Sequence, residues 1–125
     1  MTITYHDHPI DPERVAHARR RLPSADDAAR LTGLLSLMAD PVRLRLIYAL
    51  DIVEELCVGD LALALDVSED SVSYALRLLR TAGLVRTRKD GRVVFNRLAE
   101  DFPAPLRDHC LRQLVALTHT EDTED

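Results

Sequence analysis

Residues 54–97, EELCVGDLALALDVSEDSVSYALRLLRTAGLVRTRKDGRVVFNR, decide the fold. Leu61, Leu63 and Leu65 form an apolar run, and Asp66-Val67-Ser68 breaks it. A second helix starts at Ser68, whose hydroxyl can accept from the first free amides. Glu69 and Asp70 then suit the positive end of the helix dipole. Val72, Leu76 and Leu79 recur at helical spacing and leave Ser71, Ser73, Tyr74, Arg77 and Arg80 on other faces. Gly83 stands where a left-handed stop residue belongs. Two β-prone runs, 84–88 and 92–96, flank Lys89-Asp90-Gly91, and Asp-Gly between such runs is a hairpin signal. Helix, turn, helix and basic hairpin in that order predict a winged helix-turn-helix, mainly α with a small β-hairpin.

Charge falls on the same residues. Between Ser71 and Arg97 lie seven basic residues and one acid, Asp90, although the whole chain carries 16 basic and 21 acidic residues. Positive charge is thus gathered in the second helix and the hairpin, as on a face that meets nucleic-acid phosphates. A solvated helix with a charged hairpin is the plainer alternative, but it does not explain why charge and motif coincide.

Working outward, 125 residues suit one domain. With 46% hydrophobic and only 4% aromatic residues, the core must be built of Leu, Ala and Val. No stretch approaches the roughly 20 apolar residues of a membrane span, and the N-terminus lacks a signal-peptide core. These features predict a cytoplasmic protein with no membrane partner. Cys57 and Cys110 make no disulfide framework and read as thiols. Asp11-Pro12 begins a short helix bearing Arg14, Arg19, Arg20 and Arg21 that ends near Pro23. Ser24 opens the next, with Leu31, Leu34, Leu35 and Met38 as its apolar stripe. Asp40-Pro41 starts a third, in which Leu44, Ile47, Tyr48 and Ile52 recur at helical spacing. A last helix is expected over about 103–119, with a stripe of Leu106, Cys110, Leu114 and Leu117 widened by Leu111 and Val115. So apolar a terminal helix needs a partner surface, and a second copy of the chain is the simplest. The organisation expected is an arm with a short helix over 1–23, the winged domain with its C-terminal dimerisation helix over 24–119, and an acidic tail over 120–125.

Four segments resemble the ArsR/SmtB family of bacterial metal-sensing repressors. They are LMADPVRLRLI (37–47), ELCVGDLA (55–62), SEDSVSYALRLLR (68–80) and KDGRVVF (89–95). The resemblance runs over roughly residues 31–115. It implies a homodimer that binds operator DNA through Ser71, Ser73, Tyr74, Arg77 and Arg80 of the reading helix and through Arg88, Lys89 and Arg92 of the wing. It also implies release of DNA when a divalent metal binds. Tyr74 and Ala75 depart from the His and Gln usual in the family's reading helix. The family's C-terminal metal site falls on Glu100, Phe102, Gln113 and Ala116, which cannot form it.

A second metal location in the family joins the N-terminal arm to the helix before the reading helix. Cys57 and Asp60 match the pattern that carries it. Their i, i+3 spacing puts them on one side of a helix start, a position that favours thiolate. His6 and His8 are the arm's candidates: Pro9 biases His8 to extended backbone, where the two imidazoles project to one side, roughly 6.6–6.8 Å apart. Two imidazoles, a thiolate and a carboxylate suit Zn(II), and the thiolate also attracts Cd(II), Pb(II) or Hg(II). The second-choice set is Cys110 with His109 or His119. Two rival readings share the fold: a redox- or electrophile-sensing repressor using Cys57 and Cys110, and a winged-helix interaction module that binds no DNA. No phosphate loop or nucleophile–base–acid set points to an enzyme.

Overall fold

The computed structural model describes residues 8–118; at 109–112, 114 and 115 the description is of backbone. His6, His119 and the tail 120–125 lie outside the described residues, as do the side chains of His109 and Cys110. The chain divides into two compact units, Met1–Leu34 and Leu35–Asp125.

In the first unit, α1 (Pro12–Arg21) begins as expected. The Asp11 side chain accepts from the Arg14 amide at 3.0 Å, and proline fills the first turn, where its missing N–H costs nothing. No residue of α1 is buried. α2 (Ala25–Met38), whose last residues belong to the second unit, is capped by Ser24, whose hydroxyl accepts from the Asp27 amide at 3.1 Å. Of its apolar stripe only Met38 is buried; Leu31 and Leu35 remain 46% and 42% exposed.

In the second unit, α3 (Pro41–Val53) is capped by Asp40, which accepts from the Arg43 amide. Its buried face is Leu46, Ile47 and Leu50; of the expected stripe Ile47 is buried, while Leu44 and Tyr48 are half-buried. Ile52 is 62% exposed. The helix is apolar nearly all round, so spacing alone admits both stripes, and packing selects one. Helix α4 (Val58–Leu65) buries Leu61, Ala62 and Leu65 but leaves Leu63 82% exposed, since a residue two positions along a helix faces away. Asp66, with φ +57, closes α4 in the left-handed region. Helix α5 (Glu69–Thr81) buries Val72, Ala75, Leu76 and Leu79. Removing a Val or Leu side chain such as these from water contributes about 1.5–3 kcal/mol. Gly83 ends the helix at φ +79.

The hairpin is β2 (Val85–Asp90) and β3 (Val93–Leu98), paired from Val85↔Leu98 to Asp90↔Val93. Its loop is therefore Gly91-Arg92, one residue beyond the expected turn. Positive φ falls at Gly91 alone, the pattern of a type II′ connection. A third strand was not legible in the sequence. β1 (Glu55–Leu56) pairs antiparallel with β3, giving the order β1-β3-β2. Past the sheet, Leu106–Gln113 is wound as a π-helix and runs into α6 (Leu114–Thr118), where an α-helix was expected throughout. Among the described residues no helix is long and apolar enough to cross a membrane.

Candidate nucleic-acid interface and effector segment

The outer face of α5 is set by how the helix starts and what it buries. Ser68 Oγ accepts from the Ser71 amide at 3.0 Å and donates to Ser71 Oγ at 3.0 Å. Burial of Val72, Ala75, Leu76 and Leu79 then turns Ser71, Ser73, Tyr74, Arg77 and Arg80 outward, as the spacing predicts. The Arg77 guanidinium lies over the Tyr74 ring, 5.5 Å from its centroid, and the ring is 54% exposed. An aromatic platform thus steadies a cation at the middle of the exposed face.

The wing cations divide into two groups. Lys89 and Arg92 stand exposed at the loop end, and neither these nor Arg77 and Arg80 meet a carboxylate among the described residues. Arg88 is different. Its Nε donates to Glu55 Oε2 at 3.2 Å and its Nη2 to Glu55 Oε1. The guanidinium also lies 4.7 Å from the Phe95 ring centroid and 3.8 Å from Asp90 Oδ2. Both partners titrate accordingly. The hydrogen bond from Arg88 holds the Glu55 carboxyl below its ordinary value, and Glu55 in turn raises Arg88. Reasoning from sequence groups Arg88 with Lys89 and Arg92 as a phosphate contact; the fold commits its side chain to β1. Glu55 went unnoticed because it lies on a strand that no periodicity announces, 33 residues from its partner.

Immediately after β1, Cys57 is the N-cap of α4. It is half-buried, and its side chain makes no capping hydrogen bond, which leaves the sulfur uncommitted to the helix. Asp60 is exposed in the first turn of the same helix. A Cβ placed on the intervening Gly59 would lie 3.8 Å from Glu69 Oε2, so a further carboxylate borders the helix start. His8 is exposed in the other unit. Among the described residues no three His, Cys, Asp or Glu side chains converge as a metal-binding group. Of the expected set Cys57, Asp60 and His8 are described, and Cys57 and Asp60 share the start of α4.

Residues 40–87, from the cap of α3 to the first part of β2, match the family described as bacterial regulatory protein, arsR family. The transcriptional repressor SmtB homolog of Synechocystis is 45% identical over 89 residues, spanning 71% of this chain and 67% of the relative. The chain belongs to the arsR family. Another arsR-family relative, the cadmium resistance transcriptional regulatory protein CadC of Listeria innocua, is 33% identical over 86 residues, covering 69% of this chain and 71% of its own. Among solved structures, the antimony-specific transcriptional repressor AntR superposes with a TM-score of 0.70 at 27% identity, covering 92% of this chain and 97% of that one. The family and these relatives are transcription regulators, not enzymes.

Proposed function

We propose that this arsR-family chain is a homodimeric repressor that leaves its operator when a thiophilic or borderline divalent metal binds. Support comes from relatives whose names tie transcriptional regulation to cadmium resistance and repression to antimony. The single observation that carries the reading in this chain is the placement of Cys57 and Asp60. An uncommitted thiol and an exposed carboxylate share the first turn of α4, one residue beyond the sheet that holds the wing.

The two donors suit a metal. A thiol sulfur and a carboxylate make a mixed S/O half-site. His6 and His8 would supply imidazoles, and Zn(II), Cd(II), Pb(II) or Hg(II) would match that set. The bound ion would supply a charged cross-link between its ligands. The protein's own residues do the rest. On DNA, Ser71, Ser73, Tyr74, Arg77 and Arg80 face the major groove, with the Arg77 fork able to read a guanine edge. Lys89 and Arg92 hold the flanking backbone and fix register rather than sequence. Two copies of α5 would read two half-sites, so the unit that binds is a dimer. Linkage requires DNA to weaken metal binding by the factor by which metal weakens DNA binding.

The test is native mass spectrometry of reduced, metal-free protein titrated with Zn(II), Cd(II) and Hg(II), wild type beside Cys57→Ser. One ion per protomer of a dimer is expected, absent in Cys57→Ser, whose DNA binding persists. Equal binding without Cys57 would shift the site to Cys110 and its neighbours. Tight binding of no ion at all would leave thiol oxidation as the signal to pursue.

A further inference from the structure

We propose that the Glu55–Arg88 pair is a strap through which the segment at Cys57 acts on the wing. The inference deepens the metal-release reading and rests on it.

Strand β1 is two residues long and lies at the edge of the sheet. So short a strand has little stability of its own. Three ties hold it. The ladder pairs Glu55 with Arg97 and Leu56 with Asn96. Asn96, only 1% exposed, donates its amide to the Leu56 carbonyl at 3.1 Å. From β2, Arg88 reaches across the Phe95 ring of β3 to grip Glu55 through two donors. β1 and β2 are not neighbours, so this pair spans the sheet from edge to edge. The residue after β1 is Cys57, and the residue after Arg88 is Lys89.

A displacement of Cys57 therefore acts on Glu55, and through Arg88 on the strand that presents Lys89. Arg88 is on this account a positioning residue: a phosphate could use its two inward donors only by displacing Glu55. An ordinary surface ion pair, of little consequence to anything but itself, is the competing account. The two differ in sign. If Arg88 binds phosphate, removing Glu55 frees it and tightens DNA binding, whereas removing Arg88 weakens it. If the pair is a strap, either removal has the same effect.

The experiment uses full-length protein and a duplex selected by the metal-free wild type from a randomised pool. DNA affinity is measured across salt concentrations, metal-free and Cd(II)-loaded, for wild type, Glu55→Gln, Arg88→Gln and the double variant. Cd(II) affinity without DNA and backbone amide exchange are measured on the same proteins. Both single variants are expected to shrink the ratio of metal-free to loaded affinity by about threefold or more, the double variant no further than either single. Cd(II) affinity without DNA should hold, and Arg88→Gln should keep the wild-type salt slope. Two results overturn the strap. One is tighter metal-free binding in Glu55→Gln with a slope lower by about 0.9 in Arg88→Gln, the mark of a lost phosphate contact. The other is a wild-type ratio in either variant. If wild type itself keeps its DNA affinity under saturating Cd(II), the metal reading fails. Amide exchange then decides the strap: faster exchange at residues 56–58 and 93–98 in Glu55→Gln supports it, and unchanged exchange removes it.

Discussion

Asn96 shows how much one side chain can settle. It is a polar residue in an apolar setting, 1% exposed, and its amide donates to the Leu56 carbonyl. No buried side-chain nitrogen or oxygen among the described residues lacks a partner, so the burial is compensated. Asn96→Ala removes the donor and opens a small void beside β1. A loss of about 1–3 kcal/mol in urea unfolding is expected, with β1 the first segment to lose amide protection. Gly91 is a second such residue. At φ +63 it occupies backbone that a Cβ disfavours, while nothing lies within 4 Å to obstruct one. Gly91→Ala should therefore cost about 1–2 kcal/mol through the backbone alone, read by thermal melting with the fold unchanged.

At the scale of elements, α5 separates structural from functional residues cleanly, because one helix has an inner and an outer face. Val72, Leu76 and Leu79 hold it, and Tyr74 and Arg77 lie together on its exposed outer face. Arg77→Gln should weaken specific DNA binding by about 1–3 kcal/mol while leaving the melting temperature near wild type; loss of stability instead would place Arg77 in the scaffold. Strand β1 yields a prediction in pH. The Glu55 carboxyl lies below its usual 4.5, mainly through the Arg88 hydrogen bond, with burial opposing and the charges of Arg88 and Arg97 assisting. A carboxyl whose pKa falls on folding stabilises the fold fully above its unfolded value and loses that contribution as pH drops through the lowered one. Wild type should accordingly melt slightly above Glu55→Gln at neutral pH. The two curves should converge in acid well below pH 4.5.

For the whole molecule, the exposed apolar positions on α2 need an explanation. Leu31 and Leu35, one turn apart, keep 46% and 42% of their surface open in a single chain. A second protomer is the proposed cover, in keeping with a repressor that reads two half-sites. Leu31→Glu with Leu35→Glu should convert the dimer to a monomer in sedimentation equilibrium and abolish tight operator binding, with helical content retained. A variant that stays dimeric would place the contact on other surfaces.

Local chemistry determined much of this protein from its sequence alone. Asp11, Ser24, Asp40 and Ser68 announce four helix starts because capping is a contact over three residues, and each accepts the amide expected of it. The face of α5 was legible because its charges and leucines segregate, and the hairpin because a glycine interrupts two β-prone runs, although the loop is Gly91-Arg92. Cys57 and Asp60 were singled out by the resemblance of the ELCVGDLA segment to the family's, and the fold puts both at the start of α4. Tertiary structure decided what local chemistry left equal. Which stripe of α3 is buried depended on its neighbours, since both stripes are apolar. Two residues, Glu55 and Leu56, became a strand because β3 offered an edge some 40 residues away. Arg88, still 46% exposed, is paired because folding carried the Glu55 carboxylate to it. Contacts of that range leave no period or spacing in a sequence, and only the closed chain brings the partners within reach.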